Sequence, residues 1–304
     1  MPIRYIFNGY FRSGTTLLWD ILKISNPSIC VFYEPLHQNL VNLVKKYRKT
    51  RSSDNLHGRK LWEEYLLQGE KFINDLSEKN IFRQSIYPFS LDELVNYLDV
   101  FNNIDTDTVL QANRLHFYLD EITNHYKTTS FHVLRSPARV YESLMAIYKQ
   151  KHKIVNAELI NILLWLKNFH TPKSDVFSIK KGINYAYIRH KSPYYWSDNK
   201  ARSIILSDPF KSHVLSWILC NYYACKNENT NVFLYENLIT YPEMIEKMIE
   251  SKTGLIFDVS SVNKKEVDLK HEYMDANLVN TVNNLDLIDE YNFILRRCGI
   301  YDLI

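Results

Sequence analysis

Hydrophobic runs and helical spacings alternate from the first residues of this chain. Ile3 to Asn8 is mostly apolar and aromatic and reads as a buried strand. Gly9 to Gly14 is polar. Leu17, Leu18, Ile21 and Leu22 then recur at helical spacing across Thr15 to Ile24, and Asn26-Pro27 stops that helix. Ile29 to Phe32 predicts a second short strand that ends at Tyr33-Glu34-Pro35. Strand, loop, helix and strand in this order predict a parallel α/β sheet.

Beyond that opening, about 41–98 is polar-rich with helical patterning and basic clusters between Lys45 and Arg51. Its composition is not that of a linker, so it reads as a helical insertion. Val109 to Gln111 predicts a strand, followed by a helix over His116 to His125. Ser130 to Leu134 predicts another strand, with Ser136 as N-cap and Pro137 as first residue of a helix running to Gln150. Asn184 to Arg202 is rich in Tyr, Trp, Lys and Arg without a period, and Ile204 to Leu206 suggests a strand. Asp208-Pro209 opens a helix through Trp217 to Lys226, and Val232 to Tyr235 is strand-like. Thr240 and Glu243 have the spacing of a capping box beside Pro242. The last helix is expected over Leu285 to Cys298, with Gly299 at its stop. No internal repeat is visible.

Composition removes several classes. Seven glycines in 304 residues is far below the ordinary usage of about 7%, so collagen-like and low-complexity readings fail. A net charge of +3 does not support general nucleic-acid binding, yet it allows a local positive pocket for an anion. Cys30, Cys220, Cys225 and Cys298 form no CxxC pair, so reduced, buried thiols are the default and neither a zinc site nor a disulfide framework is expected. No stretch reaches the roughly 18–20 apolar residues of a membrane span. The start, MPIRYIFNGY, has no signal-peptide core. A cytoplasmic protein is expected, with its oligomeric state open.

Two of the scarce glycines fall together. Gly9-Tyr-Phe-Arg-Ser-Gly14-Thr15-Thr16 has the glycine spacing of the phosphate-binding P-loop, between a predicted strand and a predicted helix. Such a loop aims backbone N–H groups and a helix N-terminus at one anion. Thr15 stands where nucleoside triphosphatases carry the lysine that reaches the β- and γ-phosphates, which argues against ATP or GTP chemistry. Arg12 supplies a cation elsewhere in the loop. The expected architecture is a three-layer α/β fold of the P-loop type, a central parallel sheet flanked by helices. It forms one domain over 1–304 with a helical insertion at about 41–105.

The loop RSGTT after a strand resembles the 5′-phosphosulfate loop of sulfotransferases that use 3′-phosphoadenosine 5′-phosphosulfate (PAPS). FHVLRSPARVYESL, from Phe131 to Leu144, resembles the 3′-phosphate motif of the same family. VFLYENLITYPEMIEKMIESKTGL, from Val232, is similar to its YEDL segment, and VFYEPLHQNL, from Val31, to the FEPL motif of the carbohydrate branch. The resemblance implies PAPS as donor and 3′-phosphoadenosine 5′-phosphate (PAP) as product, with no metal. Arg12, Ser13, Gly14, Thr15 and Thr16 would bind the 5′-phosphate, with Thr15 and Thr16 also capping the helix. Arg135 and Ser143 would bind the 3′-phosphate. Gln111 stands where many relatives have a lysine, and the C-terminal RKG motif is absent, with Lys264 and Lys265 at most an echo of it.

Sulfuryl transfer to a hydroxyl needs a base near the acceptor and positive charge near the leaving oxygen. The resemblance implies Glu34 as base and Arg12 as electrostatic stabiliser. His37 is a rival base. His116 is a further candidate, expected to face outward at a helix start. Arg114 is left without a role. The EPL context of Glu34 points to a carbohydrate acceptor, with a lipid or other small alcohol as alternatives. A P-loop kinase or hydrolase, and a non-catalytic nucleotide-binding relative, are the competing readings.

Overall fold

The computed structural model describes residues 3–52, 58–80, 90–152 and 208–300. Its centre is β1 (Ile3–Gly9), flanked by β3 (Thr108–Ala112) and β4 (Thr129–Leu134). With β2 (Cys30–Tyr33) and β5 (Asn231–Leu234) they form one sheet in the order β2-β3-β1-β4-β5, every neighbouring pair parallel. Such strands need apolar residues on both faces. Phe7 lies in register with Phe131 and their rings stack at 4.6 Å on one face, while Ile6 pairs in register with Leu110 and joins the core of the other.

Parallel strands also need crossover connections, which the helices supply on both sides. In chain order these are α1 (Thr15–Ser25), α2 (Leu40–Thr50), α3 (Glu63–Leu67), α4 (Gly69–Glu78), α5 (Leu91–Asn102), α6 (Leu119–Tyr126) and α7 (Pro137–His152). After them come α8 (Pro209–Lys226), α9 (Tyr235–Thr240), α10 (Pro242–Thr253), α11 (Leu269–Met274), α12 (Ala276–Asn284) and α13 (Ile288–Arg297). Leu18, Ile21 and Leu22 of α1 and Ile245 and Ile249 of α10 cover one face. Val44, Phe101, Ile122, Trp217 and Ile294 belong to the core on the other. Each such fully buried side chain contributes about 1.5–3 kcal/mol. The result is a three-layer α/β fold of the P-loop type, with helices α2 to α5 between β2 and β3.

Local chemistry sets the helix ends. Asn26 stops α1 by donating from Nδ2 to Leu22 O (3.0 Å), and it also bonds the backbone of Ile256. Asp208 caps α8 by accepting from Phe210 N at 2.8 Å, and Ser136 Oγ accepts from Arg139 N at the start of α7.

Some expected boundaries move. Strand β5 ends at Leu234, and Tyr235 begins a helix. Helix α6 begins at Leu119, after a turn closed by Tyr118 N to Leu115 O. The last helix starts at Ile288, because Leu285 N returns to Thr281 O at the end of α12 and Asp286 turns with φ 55°. The capping box at Thr240 does not form. Thr240 Oγ1 donates instead to Lys265 O, and Glu243 pairs with Lys264. The expected strand Ile204 to Leu206 and the aromatic stretch Asn184 to Arg202 lie outside the described residues.

Candidate functional site

In an open parallel sheet, ligands gather beyond the carboxyl ends of the strands. Here every strand ends by delivering a polar or aromatic group to that edge. After β1 comes the loop Tyr10–Gly14; after β2, Glu34; after β3, Asn113 and Arg114; after β4, Arg135; and at the end of β5, Tyr235.

The phosphate loop is a sharp turn. Ser13 N–H bonds Tyr10 O at 3.1 Å, Arg12 has φ 65°, and Gly14, the N-cap of α1, is left-handed at φ 88°. The cap is therefore Gly14, with no side-chain cap, and Thr15 and Thr16 fall in the first turn instead of capping it. Both glycines are required by close approach. A Cβ on Gly14 would lie 2.1 Å from the Tyr235 ring, and one on Gly9 would lie 2.6 Å from Thr15 Cγ2 and Val133 Cγ1. The first turn of α1 carries no acidic residue. Its N–H groups and positive dipole end thus face no carboxylate of their own helix.

Two arginines meet above this loop. Arg135 Nη1 donates to Arg12 O at 3.0 Å and the Arg135 Cζ lies 4.8 Å from the centre of the Tyr235 ring, while Arg12 Nε donates to Ser143 Oγ at 3.1 Å. Neither guanidinium forms an ion pair with a described carboxylate. Burial, then the neighbouring Arg135 charge, push Arg12 below the ordinary arginine range; Tyr33 and Glu34 act on it in the opposite sense. Arg12, Arg135 and Ser143 are thus one cluster. Ser13 Oγ is fully buried beneath it and has no hydrogen-bond partner among the described residues. Thr16 Oγ1 shares a 3.1 Å hydrogen bond with the Tyr33 hydroxyl.

Glu34 is held in a left-handed conformation, φ 43°, at the end of β2. Arg51 and Lys127 share that region as helix C-caps, and Asp286 as a helix connector. Arg12 and Glu34 have no such role, and strained non-glycine residues cluster at functional sites. Glu34 Oε1 accepts 2.6 Å from Asn113 Nδ2, and Arg114 Nη1 lies 3.9 Å from Oε2.

The histidines are placed differently. His37 is half-buried, its Nδ1 accepts the Asn39 N–H at 3.1 Å, and burial with nearby Arg114 pushes it down to about 3. His116, expected on the outside, is fully buried. Leu115 N bonds Asn8 Oδ1, which draws this segment beneath the end of β1, and Asn8 Nδ2 lies 3.2 Å from His116 Nδ1. The same amide lies 3.0 Å from His132 Nδ1, and His132 Nε2 reaches Asn221 Oδ1 at 2.8 Å. Asn113, Tyr33 and Tyr235 escaped sequence reasoning, although all three sit at strand ends, and applying the carboxyl-edge rule to every strand would have found them.

The strand order, the loop after the central strand and the left-handed glycine that closes it define a P-loop-type α/β protein. No known family model matches the chain. A protein of Archaeoglobus fulgidus described as uncharacterized is 28% identical over 320 residues, covering 95% of this chain and 96% of that one. Among solved structures, the sulfotransferase from Alicyclobacillus acidocaldarius is 12% identical with a TM-score of 0.43, covering 94% of this chain and 95% of its own. The sulfotransferase domain from the curacin biosynthetic pathway is 13% identical with a TM-score of 0.41, covering 98% and 97%. Likeness at this level assigns neither an activity nor a ligand to this chain. Among the described residues, no helix is long and apolar enough to cross a membrane, and no three His, Cys, Asp or Glu side chains lie together as a metal site.

Proposed function

We propose that the protein is a PAPS-dependent sulfotransferase, moving a sulfuryl group to an acceptor hydroxyl, with a carbohydrate as the acceptor class. The observation that carries this reading is the cluster of Arg12, Arg135 and Ser143 above the loop whose buried Ser13 hydroxyl lacks a described partner, at the sheet edge where β2 also delivers Glu34.

The residues present suit such a donor. Its 5′-phosphosulfate is assigned to Ser13, Gly14, Thr15, Thr16 and Arg12, where the buried Ser13 hydroxyl lacks a described partner. Its 3′-phosphate is assigned to Arg135 and Ser143. When bound, the donor supplies a sulfuryl group whose bond to the bridging phosphate oxygen breaks as the acceptor oxygen attacks sulfur. Arg12 and the loop N–H groups stabilise the charge that the departing oxygen gains. Arginine does this without giving up a proton.

Glu34 takes the proton of the acceptor hydroxyl. Asn113 occupies Oε1, so Oε2 is the oxygen assigned to receive it. His37 is less suited, because its Nδ1 lone pair already accepts the Asn39 N–H, which leaves the ring proton on Nε2. Glu34 in its EPL context supports a carbohydrate acceptor. The four cysteines are free thiols, which fits a reducing compartment, and a cytoplasmic location is part of the proposal.

A thermal-shift comparison of PAP, ATP–magnesium and 5′-AMP tests this reading. Selective stabilisation by PAP is expected, about 2.7 kcal/mol at a hundredfold excess over Kd. Absence of a response, or preference for ATP–magnesium, overturns it.

A further inference from the structure

The turn that presents Glu34 is braced far beyond what an ordinary connection needs. Tyr65 OH donates to Tyr33 O at 2.7 Å, Tyr97 OH to Pro35 O at 2.6 Å, and Arg114 Nη1 to Leu36 O at 3.0 Å. The intervening carbonyl, Glu34 O, accepts from His37 N at 2.9 Å. All four carbonyls from Tyr33 to Leu36 are thus taken, three of them by buried side chains from elements remote in sequence.

The carboxylate is held by a second chain of contacts that begins on β3. Gln111 lies wholly in the interior. Its backbone carbonyl accepts the Glu34 N–H at 2.9 Å, and its side-chain Oε1 lies 3.3 Å from the same N–H. Its Nε2 donates at 2.8 Å to Asn113 Oδ1. That bond fixes which end of the Asn113 amide is oxygen, so Nδ2 is the end aimed at Glu34 Oε1. One glutamine therefore sets both the backbone of Glu34 and the orientation of the amide that holds its side chain.

We infer that Asn113, oriented by Gln111, is the positioning residue for Glu34: it fixes one carboxylate oxygen and leaves the other for the acceptor. The catalytic part of this inference rests on the proposed sulfotransferase activity, whereas the clamp itself does not. Its parts act together, because a hydrogen bond to a charged group is worth more than one between neutral groups. Without it, Glu34 keeps its turn but not its aim.

The clamp is tested by the rate at which a water-soluble carbodiimide with glycine ethyl ester labels Glu34, read by peptide mass spectrometry with exposed Glu243 as internal reference. The carboxylate attacks the reagent through one of its oxygens, and the Asn113 N–H engages Oε1 and holds the group in place. In Asn113→Ala, labelling of Glu34 is expected to rise roughly tenfold relative to Glu243. Asn113→Leu keeps the approximate size of the side chain and adds no charge but loses the donor, and decides the matter if the alanine variant fails to fold. A folded variant with unchanged Glu34 labelling overturns the inference. Thermal shifts with PAP, run on the same samples, are expected to match the wild type. A wild-type protein indifferent to PAP sinks the sulfotransferase reading and leaves the labelling result to judge the clamp alone.

Discussion

Arg12 Nε donates a 3.1 Å hydrogen bond to Ser143 Oγ, joining the phosphate loop to a helix 131 positions further along the chain. The serine hydroxyl holds the guanidinium over the loop while leaving its remaining N–H groups for a ligand. Ser143→Ala is expected to lower PAP affinity by about 1.5 kcal/mol, roughly tenfold. Arg12→Ala is expected to abolish transfer, and Arg12→Lys to recover little, since an ammonium lacks the planar fork. Calorimetric titration with PAP reads the binding losses. A Ser143→Ala protein that binds PAP like the wild type would show that this bond does not serve the ligand.

Glu34→Gln separates base from binder. Glutamine keeps the size of the side chain and tolerates the same turn, but cannot take a proton. Transfer from PAPS is expected to disappear while PAP affinity stays within about threefold, a change under 1 kcal/mol. Lost PAP binding would refute the role of Glu34 as a base.

Gly14→Ala sets a Cβ against the Tyr235 ring at a left-handed backbone position. Left-handed strain of about 1–2 kcal/mol and overpacking of about 1–3 kcal/mol act together. Urea unfolding of Gly14→Ala, Tyr235→Ala and the double variant separates them. The double variant is expected to regain the packing part only. Strict additivity of the two single effects would mean the ring and the glycine do not meet.

Acid is expected to destabilise the protein through its buried imidazoles. Burial pushes His132 and His213 down to about 4, against about 6.5 in the unfolded chain. Between those values the unfolded state binds more protons than the folded one. Their contribution is therefore present above about pH 6.5 and lost as pH falls towards 4, with a slope of up to about 1.4 kcal/mol per pH unit for each. Glu236, raised by burial, works in the opposite direction. Urea midpoints should fall between pH 7 and 5, less steeply in His132→Gln. Equal slopes in both proteins would remove His132 from the account.

The first half of the site was legible because its chemistry is local. Gly9 and Gly14 sit at a fixed spacing between a buried strand and an amphipathic helix, and that pattern placed the loop correctly. Arg135 could be read from its strand end. The pairing of Arg12 with Ser143 could not, since spacing says nothing about which side chain crosses between β1 and α7. The same limit hid Asn113, whose role depends on Gln111 in the interior of β3. His116 misled for a related reason: a polar residue at a helix start looks exposed until Asn8 is seen drawing its segment inward.

The contact between Gly14 and Tyr235 also bears on how the protein is made. The phosphate loop leaves the ribosome well before the ring that walls it, which arrives only after β5. At about 5–20 residues per second, that delay is on the order of ten seconds or more. During it the nascent chain holds a glycine loop without its wall and without Arg135 resting on that wall. The wall of the loop is thus completed only once β5 has emerged, and a chain cut short before Tyr235 would carry the loop sequence without that wall.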